Sequence, residues 1–143
     1  MFEACELGRT VSRKDYEAEE PELKTRLLEL QRALAARNVP VIIIVAGVEG
    51  AGKGEVVNLL NKWFDNRNIQ THAFWENSGV ETERPHYWRF WQALPPRGSM
   101  AIMFGSWYSQ PIVDRVFKRL RSGDFEKAMH RVVEFEHLLI DDG

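Results

Sequence analysis

Val41-Ile42-Ile43-Ile44-Val45-Ala46-Gly47-Val48-Glu49-Gly50-Ala51-Gly52-Lys53-Gly54 is the stretch on which the fold of this 143-residue chain turns. Five β-branched residues in a row read as a strand buried on both faces, because a strand with one wet face alternates polar and apolar side chains. The continuation fits G-x-x-x-x-G-K and leads into a helical pattern from Lys53 to Phe64, with Val56, Val57, Leu60, Trp63 and Phe64 apolar. Glycines at such spacing let the backbone turn so tightly that successive N–H groups converge on a phosphate. The helix adds its positive end, and a lysine at its start places an ammonium beside the outer phosphates. We therefore expect a phosphate site built from Gly47, Glu49, Gly50, Ala51, Gly52, Lys53 and Gly54. A glycine-rich turn carrying a surface lysine is the alternative. The residue after the lysine, which as Ser or Thr would bind Mg²⁺, is Gly54, so Glu49 becomes the nearest metal candidate. A carboxylate there would repel phosphate unless a divalent cation sat between them. A Glu49 side chain pointing into solvent is the equal alternative.

Working outward, Leu23, Leu27, Leu30 and Leu34 fall at helical spacing after Pro21, which suits a first helical turn, and Asn38-Val39-Pro40 stops the run. Residues 1–20 are polar and read as a surface segment. Ile69 to Phe74 is a second strand, Pro85 opens a helix through Leu94, and Pro95-Pro96 ends it. Met100 to Phe104 is a third strand, followed by helices at Ile112–Leu120 and Phe125–Leu139. Strands alternating with helices predict a parallel sheet covered on both faces, a three-layer α/β/α domain over residues 21–143. Three strands make a thin sheet, and Ile140–Gly143 falls where another strand is expected. The chain reads as the front part of a longer domain.

Composition bounds the partners. Hydrophobic residues are 44% and charged residues 28%, an ordinary globular mixture that excludes collagen-like repeats, coiled coil and disorder. The net charge of −2 gives no global attraction to nucleic acid. Locally the picture differs: residues 84–121 carry seven basic groups and one acid, whereas residues 1–22 and 122–143 each have a net charge of −4. The middle segment is an anion-seeking surface or a solvated face. Cys5 is the sole cysteine, which excludes an internal disulfide and suits a reducing cytosol. The apolar run Val39–Val48 is too short for a bilayer, and the acidic N-terminus is unlike a signal peptide. We expect a cytoplasmic protein with neither membrane nor nucleic-acid partners.

The loop G-x-E-G-A-G-K-G, followed by Trp88-Arg89-Phe90-Trp91, Leu94-Pro95, Arg97-Gly98 and Trp107-Tyr108, resembles the polyphosphate kinase 2 family. Within it, the chain is most similar to the N-terminal half of the two-domain polyphosphate:AMP phosphotransferases. The resemblance implies a P-loop kinase-like fold, phosphoryl transfer between inorganic polyphosphate and AMP/ADP, and dependence on Mg²⁺. It also implies a second homologous domain C-terminal in the same chain, and a homo-oligomer is compatible with it. Lys53, Arg84 and Arg89 are then the catalytic candidates, the two arginines steadying a polyanion that needs no defined register. Arg97, Arg115, Lys118, Arg119 and Arg121 are candidates to extend that groove.

The sequence also departs from the pattern. Family members with the complete motif end the third strand in Phe-Asp-Arg-Ser-Trp-Tyr-x-Arg, whose Asp holds Mg²⁺. Here it is Phe104-Gly105-Ser106-Trp107-Tyr108-Ser109-Gln110, one residue shorter, with Gly105 in the region of the Asp and Gln110 where the second Arg would be. A phosphate-binding partner domain of an active C-terminal half is therefore the alternative function. His72, His86, His130 and His137 have no metal-ligand spacing. Glu134 and His137 share Glu-x-x-His spacing without the second pair that a di-metal site needs. Asp141 and Asp142 remain as acids able to approach a metal.

Overall fold

The computed structural model describes residues 10–74 and 84–142; Cys5, most of the first half of the expected surface segment and Gly143 lie outside them. The elements are α1 (Arg13–Ala36), β1 (Val41–Val45), α2 (Lys53–Trp63), a 3₁₀ turn (Asn66–Asn68), β2 (Ile69–Ala73), α3 (Trp88–Trp91), β3 (Met100–Phe104), α4 (Ser109–Val116) and α5 (Ser122–Asp142). The strands pair in the order β1-β3-β2, all parallel, with Val41 and Ile69 both opposite Met100.

Alternation along the strands divides the core into two layers. Val41, Ile43, Val45, Met100 and Ile102 meet Leu27, Leu34, Val57, Leu60 and Phe64 from α1 and α2. Ile42, Ile44 and Met103 meet Phe90, Trp107, Val132 and Phe135 on the other side. Ile102 and Met103 are fully buried, as the central strand of a covered parallel sheet requires. Truncating either to alanine is expected to cost about 2–5 kcal/mol. The three-layer α/β/α expectation holds.

Several element boundaries depart from expectation: α4, expected over Ile112–Leu120, runs Ser109–Val116, with Lys118 at a left-handed φ of 57° beyond its end, and α5 starts at Ser122, three residues before the expected Phe125. Helix α1 begins at Arg13 and carries Pro21 inside it. Its start is set by Ser12, whose side chain accepts from Asp15 N–H at 3.1 Å and donates to the Asp15 carboxylate at 2.6 Å. The helix expected from Pro85 shrinks to Trp88–Trp91, because Tyr87 takes a left-handed φ of 63°. Tertiary packing decides this: the Tyr87 ring lies 4.7 Å from that of Phe135 on α5. Finally, residues 140–142 continue α5 and are not a strand.

With every strand parallel, the C-terminal ends of β1, β2 and β3 share one edge of the sheet, where open α/β sheets bind ligands. Two hydrogen bonds carry the ladder past the strands there: Phe74 N–H to Phe104 O at 2.9 Å and Gly105 N–H to Val45 O at 3.1 Å. The glycine loop thus starts beside the turn after β3.

Candidate functional site

Gly50 and Gly52 sit at φ of +78° and +77°, left-handed values that side chains resist, and Gly52 caps α2 directly before Lys53. The loop closes on itself through Ala51 N–H to Val48 O at 3.3 Å. Lys53 folds back over it, its ammonium donating to Gly47 O at 2.8 Å and Val48 O at 2.7 Å, 5.8 Å from the Phe104 ring centre. The Lys53 ammonium therefore rests at the mouth of the loop on two backbone carbonyls. Glu49 is exposed and has no hydrogen bond or ion pair among the described residues.

The turn after β3 is tight at Gly105, in the region where the family resemblance implied a carboxylate. Gly105 has φ +83°, and a Cβ built on it would lie 2.9 Å from Phe74 O. Ser106 is buried; its N–H donates to the Ser109 hydroxyl at 2.9 Å, and its own hydroxyl accepts from Tyr108 N–H at 3.3 Å. Trp107 Nε1 and the Tyr108 hydroxyl both donate to one Glu136 oxygen, at 3.1 and 2.6 Å, which ties the turn to α5. Tyr108 is pushed up to about 12, first by burial and then by the adjacent Glu136.

These residues do not make a protein-held Mg²⁺ site. Gly54 has no hydroxyl, Gly105 has no carboxylate, and no three His, Cys, Asp or Glu side chains among the described residues gather to hold a metal. Glu49 is left as a single exposed oxygen donor.

Arg84 and Arg89 come together on the wall of a cavity of about 540 Å³, bounded by α3, the turn after β3, α4 and α5. Arg84 lies over the Trp88 ring at 5.1 Å, and Arg89 over those of Phe74 and Phe90 at 5.5 and 4.9 Å. Gln110, on the same wall, donates to Asp114 at 2.9 Å. Other sequence candidates lie elsewhere. Arg97 precedes β3, at the sheet edge opposite the glycine loop, and donates to Asp142 O at 2.7 Å. That contact also removes Asp142, at the end of α5, from the phosphate loop. Arg119 pairs with Asp114 at 3.7 Å, Arg115 donates to Leu120 O at 3.4 Å, and none of Arg115, Lys118, Arg119 or Arg121 lines the cavity. His130 pairs with Glu134 at 3.3 Å, one turn before the Glu134–His137 spacing. Sequence reasoning missed Arg131 and His86 in the cavity wall. Arg131 sits one turn before Phe135, whose burial against α3 marks the inward side of α5.

Residues 10–143 match the description Polyphosphate kinase 2 (PPK2). The chain belongs to the polyphosphate kinase 2 family. It is 44% identical over 144 residues to the polyphosphate:AMP phosphotransferase of Pseudomonas aeruginosa, covering 100% of this chain and 29% of that one. The polyphosphate:AMP phosphotransferase of Pseudomonas syringae pv. tomato is 38% identical over the same shares. Among solved structures, a polyphosphate kinase 2 from P. aeruginosa PA01 superposes at a TM-score of 0.89 with 44% identity, over 100% of this chain and 31% of its own. The polyphosphate kinase 2 of Arthrobacter aurescens TC1 superposes at 0.84 with 25% identity, over 96% and 50%. The chain thus spans under a third of the length of these two Pseudomonas phosphotransferases. No helix among its described residues is long and apolar enough to cross a membrane.

Proposed function

We propose that this chain is the phosphate-gripping part of a polyphosphate-dependent nucleotide phosphotransferase, acting on polyphosphate and AMP to give ADP. The observation that carries the reading is the parked Lys53 ammonium over a loop of left-handed glycines at the start of α2. When phosphate enters, the ammonium exchanges the Gly47 and Val48 carbonyl oxygens for phosphate oxygens. The loop amides and the positive end of α2 supply the remaining donors. Phosphoryl transfer depends mainly on positioning and charge, which this arrangement provides without a covalent intermediate. Arg89, at the same sheet edge beside Phe74, would steady the polyanion. Mg²⁺ is the cofactor common to such chemistry; Glu49 would offer it a single carboxylate, and the remaining ligands would have to come from outside this set of residues. A cytoplasmic location, a second homologous domain in the same polypeptide and a homo-oligomer complete the reading.

A specific observation favours a second reading. Gly105 leaves no room for the carboxylate that the chemistry would use after β3. In that case this segment binds phosphate while another domain performs the transfer.

The experiment is ADP formation from polyphosphate, AMP and Mg²⁺ by the full-length protein, wild type against Lys53→Ala, both verified as folded. A loss of a hundredfold or more in kcat places chemistry at this loop. Unchanged turnover establishes the second reading, and no ADP from the wild type rejects the AMP reaction.

A further inference from the structure

Helix α3 carries Arg89 and has only four residues, a single turn that stays in place because its side chains are packed, not by stability of its own. Its anchor is Phe90, buried and edge-on to Trp107 with ring centres 5.5 Å apart, while the Arg89 guanidinium lies 4.9 Å from the Phe90 ring centre. Trp107 is buried as well, and two consecutive residues of α5 fix it. Phe135 meets its ring edge-on at 5.0 Å, and a Glu136 oxygen accepts from its Nε1 at 3.1 Å. The same oxygen accepts from the Tyr108 hydroxyl at 2.6 Å, so one carboxylate holds two neighbours in the turn after β3. Without that acceptor the buried indole N–H would lose its partner, and the ring would no longer be held against Phe90.

Glu136 itself does not line the cavity between α3 and α5, and its hydrogen bonds go to Trp107 and Tyr108 rather than to residues 47–54. Any influence on a phosphate at the sheet edge must therefore pass through other side chains. We propose that Glu136 is a positioning residue of the phosphate site: through Trp107 and Phe90 it sets where α3 holds the Arg89 guanidinium. The proposal rests on the phosphotransferase reading, in which Arg89 steadies the polyanion. Both donors that Glu136 receives are neutral, an indole N–H and a phenol, so the task asks for an acceptor at the right reach and not for negative charge. Glutamine supplies such an acceptor, aspartate keeps the charge but is one methylene too short, and leucine fills the space with no acceptor. A guanidinium displaced from its place gives up a charge-assisted contact to the polyanion.

The test is calorimetric titration of the full-length protein with inorganic tripolyphosphate, following the binding event that Lys53→Ala removes. It compares wild type with Glu136→Leu, Glu136→Asp, Glu136→Gln and Arg89→Ala, and places each Glu136 change in the Arg89→Ala background as well. Lys127→Ala, on an exposed face of α5, is the control. Glu136→Leu is expected to weaken tripolyphosphate about tenfold and Glu136→Asp about fivefold, with Glu136→Gln within about twofold of wild type. In the Arg89→Ala background the same changes should add less than about twofold, because their effect runs through the guanidinium. A general loss of structure would not show this pattern. Losses that multiply in the double variants overturn the proposal, as does a Glu136→Gln protein weaker than Glu136→Asp. An Arg89→Ala protein that binds like wild type also overturns it, since nothing is left for Glu136 to position. Binding that Lys53→Ala removes and no Glu136 variant alters overturns the proposal and leaves the phosphotransferase reading standing. Tripolyphosphate binding that Lys53→Ala leaves intact overturns both. Glu136→Leu strands two donors, so if it fails to fold the comparison of Glu136→Asp with Glu136→Gln in the two backgrounds decides.

Discussion

Gly105 and Phe74 approach so closely that a Cβ on residue 105 would stand 2.9 Å from the Phe74 carbonyl oxygen. That oxygen belongs to the residue whose N–H carries the ladder past β2 by bonding Phe104 O at 2.9 Å. The φ of +83° adds a second penalty for any L side chain. Gly105→Asp, the change that would reinstate a carboxylate after β3, should therefore destabilise the protein by about 2–4 kcal/mol and raise no activity. Urea denaturation of the variant checks the first half, and the ADP assay checks the second. A Gly105→Asp protein as stable as wild type would show that the turn can open.

Lys53 spends its hydrogen bonds on two exposed-loop carbonyls. Such bonds add little to folding, so Lys53→Ala should alter ligand-free stability by less than about 1 kcal/mol. Its response to ligand should differ sharply. Wild-type protein in tripolyphosphate at a hundred times Kd gains about 2.7 kcal/mol, and the variant should lose most of that gain at the same concentration. Thermal melts with and without tripolyphosphate read both effects. An equal ligand-induced rise in both proteins would place the anion elsewhere.

β1 and β3 were legible to the residue as apolar strands, but only β3 is buried: Val41–Val45, expected to be buried on both faces, is half-buried throughout because β1 lies at the edge of the sheet. The glycine loop was legible because its chemistry is local. What stayed hidden depends on distant neighbours. Tyr87 leaves the helical region to meet Phe135, forty-eight positions along the chain, and no local pattern encodes that. The cavity follows from the same contact, because shortening α3 exposes Arg84, His86 and Trp88 to α5. The start of α1, by contrast, is encoded locally: Ser12 and Asp15 form a capping pair upstream of Pro21, where the first helical turn was expected.

Gln31 is buried on α1, accepting from Asp65 N–H at 2.8 Å and donating to Asp65 O at 2.9 Å. It satisfies both backbone groups of the residue that leads from α2 into the 3₁₀ turn before β2. Gln31→Leu keeps the approximate volume and strands both groups, so a loss of about 2–3 kcal/mol is expected. Chemical denaturation should show a lower midpoint with an unchanged slope. Gln31→Glu keeps only the acceptor and should fall between the two.

Glu136 leaves a pH signature through Tyr108. Burial first, and the hydrogen bond to Glu136 next, raise the phenol to about 12 in the folded chain against an ordinary value of 10. A group held protonated by folding contributes its full stability below pH 10. That contribution is lost as pH rises from 10 to about 12, where the unfolded phenol ionises and the folded one does not. Absorbance at the tyrosinate band should therefore show Tyr108 ionising late. Glu136→Gln should bring that ionisation nearer to 10 and keep an oxygen for Trp107 Nε1 and the Tyr108 hydroxyl to share. Tyr108→Phe should flatten this part of the stability profile between pH 10 and 12 relative to wild type. If the two profiles fall in parallel over that range, the Glu136 contact does not hold the Tyr108 proton.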